Sequence, residues 1–501
     1  MKRINSFVQT SFTVAALTVL ASGLPAQHPE PCCSKKPVFE TPATNFLMLP
    51  GQVAVATLHA EGGTGDFDKF FPGPIPNQDV VIWNISAPPA PNTDWAPTDR
   101  YYTDPNWDYT HLGDVFGLTI DDQGNIYVAA TTIYYRAYGE VARVGSLAGP
   151  SNPHGVIYKI ANGTGLPTKF AELPNPHGAG LGNVTFDCVH QKFYASNFDD
   201  GLIYELDLNG NRLNTWDHGQ MRSTAHDVSG AGLVLANIPS TAGGQTQDNQ
   251  GYALLGRRPW AVRVYQGRLF YSIWSMDSIE NSYYGVSSAF PNQIWSVALG
   301  TTGNFVPNSL RFEVTLPLLN QVSAPWNNPV ADLTFGPAGE MYAAERSMGS
   351  LGWGNYVSSI DSHSRVLEFV PVLKTGIAFF GHTPPTYLDW SLMAVPTYQV
   401  GCYASGNVGY RANAAGGVDF DLTPGAKYPV WATGNKLHDG NSPYFDFVWG
   451  LQGFPAGGGK VENSILIDLN DTTASRSEAE NQVGDVRIPC PAVINGGSTA
   501  N

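Results

Sequence analysis

Hydrophobic and polar positions along this chain fall into a unit that recurs. Residues 115–132 read VFGLTIDDQGNIYVAATT. An apolar stretch at 116–120 is followed by a polar run at 121–125. In the next stretch Ile126, Val128 and Ala130 alternate with Tyr127, Ala129 and Thr131. Alternation with period two is the pattern of a strand, because successive side chains leave opposite faces. Asp and Asn accept tight backbone bends and Gly takes positive φ without steric cost, so the polar run predicts a hairpin turn. The same order returns as NVTFDCVHQKFYASN (183–197), AVRVYQGRLFYSIW (261–274) and DLTFGPAGEMYAAE (332–345). The starts, Gly117, Asn183, Ala261 and Asp332, lie 66, 78 and 71 residues apart.

A hairpin unit repeated at this spacing predicts an all-β fold, a β-propeller of four-stranded blades with long loop insertions, since an uninterrupted blade takes roughly 40–50 residues. Apolar segments at 155–160 and 169–173, at 202–206 and 212–216, and at 293–299 and 311–315 supply third and fourth strands, and 365–369 a further one. Beyond residue 370 the rhythm weakens. Segments 388–393 with 398–403, and 444–450 with 464–469, read as the openings of two more units. The first-strand anchors then fall at 117, 183, 261, 332, near 390 and near 448, which makes six blades. Segments 52–59 and 79–85 complete the sixth and join the two ends of the chain, removing open sheet edges. A seventh blade follows instead if LVLANI (233–238), within the long insertion 221–258, forms its own unit. No sustained 3.6-residue periodicity appears, so little helix is expected.

Composition narrows the setting. Of 501 residues, 14% are charged and 12% aromatic, with 54 Gly and 37 Pro. Against roughly 25% charged residues in average soluble proteins, this describes a turn-rich, aromatic-rich extracellular β protein. The formal charge of -15 argues against a nucleic-acid partner, which needs a basic face. It suits an exported protein or one that holds Ca²⁺. The start MKRINSFVQTSFTVAALTVLASGLPAQ has a basic head, a short apolar run and small residues near Ala26, the layout of a secretory signal peptide. The expected divisions are a signal segment at 1–26, a Cys- and Pro-rich arm at 27–44, the propeller at 45–485 and a tail at 486–501. No later stretch is apolar enough to span a membrane. Export permits disulfides. Among the five cysteines, Cys490 is expected to pair with Cys32 or Cys33, because the ends of a closed propeller meet; free structural cysteines are the other reading.

The phrase FGLTIDDQGNIYVAA resembles the repeat of NHL, streptogramin-lyase-like and gluconolactonase-like six-bladed propellers, through its apolar-Gly-apolar strand, D-x-x-G-N turn and aromatic-apolar strand. The resemblance spans four hairpins, about residues 115–345, and implies the fold. It carries over no catalytic residue. Gluconolactonase-like members place Asn or Asp just before the first-strand Gly to bind a divalent metal; Phe116, Gly182, Trp260 and Ala331 stand there in this chain. The His and Glu of the lyases have no counterpart, since no H-x-E follows a first strand. Near the end, VGDVRIPCP (483–491) is similar to the segment that closes propeller regions of large bacterial surface proteins, which implies a place at the cell surface.

Candidate chemistry is sparse. Asn183 and Asp332 occupy equivalent positions in two units and Glu345 ends a second strand; converging oxygens there are a candidate Ca²⁺ site, while turn capping is the simpler use. NPHG occurs twice, ending at Gly155 and Gly178, so His154 and His177 are candidate ligand-binding residues, the dipeptides N-P and H-G also being plain turn formers. Arg258 and Trp260, before a first strand, are candidates for carboxylate or sugar contacts at the channel mouth, with core packing of Trp260 the alternative. Asp207 to Asn211 reads as a hairpin turn and not a calcium loop, because no Glu follows at the required spacing. G-x-S-x-G is absent. The favoured reading is a non-enzymatic extracellular or cell-surface propeller (a periplasmic one is the variant), used for binding or assembly, with a protein, a glycan or a second copy as partner. The alternative is a metal-dependent hydrolase or lyase of the lactonase type.

Overall fold

A computed structural model describes residues 52–57, 78–91, 94–95, 101–134, 144–149, 154–218, 220–222, 235–237, 251–275, 291–318, 328–350, 357–358, 364–375, 386–393, 398–401, 412–434, 437, 450–468 and 483–489. Among the described residues the regular structure is all β apart from a three-residue 3-10 turn at Val461–Asn463.

Six sheets of antiparallel strands each begin with an inner strand and step outward. The first blade runs Val115–Ile120, Ile126–Ala130, Val156–Ile160, Pro167–Glu172. The second runs Leu181–Asp187, Lys192–Asn197, Leu202–Leu206, Arg212–Asp217. The third is Arg258–Tyr265, Arg268–Trp274, Gln293–Ala298, Arg311–Thr315, and the fourth Val330–Phe335, Met341–Glu345, Val366–Thr375, Thr386–Leu392. The fifth is Ala414–Phe420, Val430–Gly434, Gly450–Phe454, Ile465–Asp468. The sixth is built from both ends of the chain: Val483–Arg487 lies innermost, and Gln52–Thr57, Val80–Asn84 and Tyr101–Tyr102 follow outward. Each inner strand packs against the next, and the sixth against the first, which closes the ring. Asp94–Trp95 leaves the sixth blade and pairs in parallel with the outer strand of the fifth, covering that edge.

The four hairpins read from the sequence open blades one to four. The anchors near 390 and 448 are corrected. Thr386–Leu392 is the outermost strand of the fourth blade, and Gly450–Phe454 is the third strand of the fifth. The fifth and sixth inner strands are AAGGVDF and VGDVR. Their small residues give little hydrophobic alternation, and neither is followed by a D-x-x-G-N turn. The seventh-blade reading also falls: Leu235–Asn237 pairs with Gln220–Arg222 in a two-stranded ribbon between blades two and three.

Most of the core lies between blades. Six clusters, one at each interface, are made by the outward alternation of neighbouring sheets. Between blades five and six, Trp431, Leu451, Ile465 and Ile467 meet Val53, Val55, Val81 and Trp83; each such side chain, when buried, contributes about 1.5–3 kcal/mol. Blade two meets blade one through Phe193, whose ring lies 4.4 Å from Tyr127 and 4.9 Å from Phe170.

Strand direction sorts the connections. Those entering the inner strands and those joining second to third strands emerge on one face. They include 131–155, 218–257, 275–292, 316–329, 346–365, 393–413, 435–449 and 469–482, which hold most of the long insertions. First-to-second-strand connections emerge opposite and are tight at 121–125, 188–191, 266–267 and 336–340. In the first of these Asp121 accepts from the backbone N–H groups of Gln123 and Asn125, both at 2.9 Å, and Gly124 sits at φ 81°.

The inner strands approach closely. A Cβ on Gly117 would stand 2.5 Å from Asn183 Cα and 2.8 Å from the Gly182 carbonyl oxygen. Both obstacles are backbone, so Gly117→Ala is expected to destabilise the fold by about 1–3 kcal/mol. A lowered urea midpoint with an unchanged slope is the expected result.

Candidate functional site

The six inner strands share one register. The position two before the central apolar residue is Phe116, Gly182, Trp260, Ala331, Gly416 and Gly484 in blade order. The next position is Gly117, Asn183, Ala261, Asp332, Gly417 and Asp485. A β-bulge or irregular register accompanies this point in every blade. A bulge re-aims side chains and sharpens local twist.

Two large rings fill the first of these layers. Phe116 of blade one and Trp260 of blade three meet edge to face at 5.6 Å. Blades five and six yield room: a Cβ on Gly416 would lie 3.1 Å from Phe116 Cζ, and one on Gly484 3.2 Å from Phe116 Cδ2. A side chain that touches blades three, five and six from blade one must cross the axis. Phe198 and Trp274 each lie 5.2 Å from Trp260, and Tyr134, Tyr252 and Met348 complete a buried cluster. Such ring pairs contribute about 0.5–1.5 kcal/mol each beyond their buried area. Two guanidinium groups flank it. Arg346 stands 5.4 Å from Phe116 and 5.1 Å from Tyr134 and donates to the carbonyls of Ala415 and Val483. Arg258 stands 4.5 Å from Trp274 and 5.0 Å from Tyr252 and donates to the Ala253 carbonyl at 2.7 Å.

The second layer is polar and alternates. Asn183, Asp332 and Asp485, in blades two, four and six, each accept from the following backbone N–H at 2.7 Å. Each then reaches a neighbouring blade. Asn183 Nδ2 donates to the Ala331 carbonyl at 3.0 Å, Asp332 Oδ2 accepts from Val418 N at 3.0 Å, and Asp485 Oδ2 accepts from Leu118 N at 2.9 Å. Arg487 joins them, donating to both oxygens of Asp332 at 2.5 and 2.6 Å and to Asp485 Oδ1 at 3.1 Å. Asp419 accepts from Thr334 Oγ1 at 2.7 Å, from Ile488 N at 2.8 Å and from Arg263 at 3.4 Å.

Three carboxylates thus face two guanidinium groups. Burial pushes the Asp485 carboxyl well above the usual carboxylate range; Arg487 opposes this and the nearby Asp332 adds to it. Burial disfavours charge on Arg487, but Asp332 and then Asp485 outweigh it and hold the guanidinium protonated more firmly than in water. Asp332 is therefore held by a bidentate cation and two backbone donors, an arrangement that fixes strands.

The candidate residues read from the sequence separate accordingly. Asn183 and Asp332 do meet, Nδ2 to Oδ1, at 3.5 Å. Glu345 is held elsewhere by Arg365, whose Nε, Nη2 and backbone N approach it at 2.8, 2.5 and 3.0 Å, with Asn328 Nδ2 at 3.2 Å. Among the described residues no three His, Cys, Asp or Glu side chains are grouped to hold a metal ion. His154 is buried at the head of a third strand. His177 is half exposed and bonds to Asp199 through Nδ1 at 2.9 Å and through its backbone N at 2.7 Å. Both histidines belong to loop-face connections, yet among the described residues no hydrogen bond joins them. Arg258 and Trp260 are fully buried in the axial cluster. Cys32, Cys33 and Cys490 lie outside the described residues. Sequence reasoning missed Asp485 and Arg487. The signal was present: Gly484-Asp485-Val486 repeats Gly182-Asn183-Val184 and Ala331-Asp332-Leu333.

No known protein family matches the chain, and no curated protein does. Solved structures resemble the chain only distantly, at low identity and low TM-score. A protein from Lactobacillus plantarum is 11% identical with a TM-score of 0.35, over 88% of this chain and 99% of that one. A gluconolactonase from Xanthomonas campestris is 9% identical with a TM-score of 0.31, over 79% of this chain and 84% of that one. A chain of the nidogen/laminin complex is 10% identical with a TM-score of 0.29, over 64% of this chain and 88% of that one. Likenesses this distant say nothing of activity. The six-bladed ring stands on strand pairing and on the packing between blades.

Removing Arg487 leaves buried carboxylates without their cation. Arg487→Met is expected to cost about 3–5 kcal/mol, read from urea unfolding, and adding Asp332→Asn should recover part of that loss. Because Asp485 titrates above its unfolded value, its favourable contribution is complete below the unfolded carboxylate range and is lost as pH rises through its folded value. Asp485→Asn should therefore flatten the alkaline side of the stability profile.

Proposed function

We propose that this chain is an extracellular binding propeller, which takes a protein or glycan on the face that carries its long insertions. The observation that carries this reading is the content of the axis. Phe116 and Trp260 cross it, and below them Arg487 occupies the carboxylates of Asp332 and Asp485. In a metal-dependent lactonase-type propeller, carboxylate and amide oxygens at this depth would be ligands. Here those oxygens are already committed to backbone N–H groups and a guanidinium. The axis is then a rigid support, and variation is left to the loops, where recognition residues concentrate on scaffolded folds. Low charge and many aromatic residues support a recognition surface outside the cell. No helix among the described residues is long and apolar enough to cross a membrane.

Cell fractionation should place the full-length product outside the cytoplasm, in the envelope or medium. Purified protein should bind intact envelope preparations of the source cells. Shortening connection 223–234 to a Gly-Ser linker should weaken that binding while leaving the thermal unfolding midpoint in place. Hydrolysis of an aldonolactone that depends on added divalent metal would overturn the reading and favour the lactonase-type enzyme.

A further inference from the structure

Two carboxylates in the fourth blade have no cation beside them among the described residues. Tyr342 and Glu368 are direct partners across its second and third strands. Glu340 lies two residues before Tyr342, on the same side of the chain, so the three side chains share the face turned toward blade five. The Tyr342 hydroxyl donates to Glu368 Oε1 at 3.4 Å. Glu340 Oε2 accepts from Ala338 N at 3.0 Å, which leaves Oε1 of Glu340 and Oε2 of Glu368 for another partner.

A second tyrosine closes the group. Tyr398 belongs to the segment that leads into blade five; its backbone bridges Val366 on one side and Gly459 on the other. Its ring meets Tyr342 edge to face at 5.7 Å and is braced by Phe454 at 5.3 Å. Tyr398 is 2% exposed; among the described residues its hydroxyl forms no well-aligned hydrogen bond, and the Tyr342 hydroxyl and the Gly458 backbone lie beside it.

The electrostatics agree with the geometry. Burial and then Glu340 push the Glu368 carboxyl upward, with only the Tyr342 hydroxyl working the other way. Burial and then Glu368 raise the Tyr398 phenol, with Glu340 adding to the shift. Both acids therefore lie within electrostatic reach of the same phenol, and among the described residues no basic group offsets them there.

We propose that Glu340 and Glu368, completed by the hydroxyls of Tyr342 and Tyr398, bind a divalent cation of the calcium class between blades four and five. Hard oxygen ligands of mixed charge suit such an ion, with water filling the remaining positions. The cation would relieve the repulsion between the acids, give the Tyr398 oxygen a stronger partner and fasten the connecting segment to the fourth blade.

The test uses the full-length protein, stripped with chelator and titrated with terbium while tyrosine is excited. Sensitised terbium emission that saturates and is displaced by calcium is expected, because two phenols flank the site. Glu368→Gln should lose that emission, and Tyr398→Phe should weaken it. Without cation, Glu368→Gln should be at least as stable as the parent at neutral pH. A carboxyl raised on folding contributes its stability below its unfolded value and loses it as pH rises through the folded one. Glu340→Gln, at the more exposed position, serves if Glu368→Gln fails to fold. Absence of emission in the parent, or emission unchanged in both variants, would overturn the proposal. So would a parent stabilised by acid but not by calcium, since the pair would then hold a proton.

Discussion

A ring of sheets loses its edges only when its last strand finds its first, and that requirement governs this molecule. Val483–Arg487 supplies the innermost strand of a blade whose other strands come from the opposite end of the chain. A strand of five residues has few ladder bonds with which to hold such a position. Its side chains add what the ladder lacks. Arg487 grips Asp332 across the ring, and Asp485 accepts a backbone N–H of the first blade. Burying charge is costly, and a pair of this kind is not cheap stability. Its use is specificity: one strand, in one register, satisfies carboxylates presented by blades four and six together.

The alternation of Asn183, Asp332 and Asp485 with Gly117, Ala261 and Gly417 follows from crowding. Six inner strands converge, and a polar side chain from one blade needs the space its neighbour gives up. The layer above obeys the same rule with rings, where Phe116 and Trp260 are large because Gly416 and Gly484 are not. Recognition chemistry placed at this depth would have to displace packing that the ring depends on. The insertion face has no such constraint, which is why the proposed binding surface is assigned to it.

Much of the fold was legible in the chain. Blades one to four announce themselves because each opens with an apolar strand, a turn rich in Asp, Asn or Gly, and an aromatic strand. Residues 414–420 were illegible because Ala414, Ala415, Gly416 and Gly417 fit a crowded axis and so carry no hydrophobic signal. The segment 483–487 was noticed for its resemblance to closing segments but not as a strand, since its hairpin partner lies at the other end of the sequence. Of the candidate site, the equivalent positions of Asn183 and Asp332 were visible, but not the contact between their side chains. The tie to Arg487 was not, because no local rule joins residues so far apart. Glu345 shows the reverse case: its place at a strand end suggested convergence, while Arg365 across the ladder had already taken it.

Asp94–Trp95 lies on the fifth blade although it sits in sequence between two strands of the sixth. The earliest described segment, residues 52–102, is therefore stitched to two sheets that are made last. Emerging head first, it must wait in solution until nearly everything behind it has followed. Assembly then ends with residues 52–102 and 483–487 arriving at one seam, and the interval before that arrival is when the chain is most open to chaperones, proteases and a neighbour's unpaired strand.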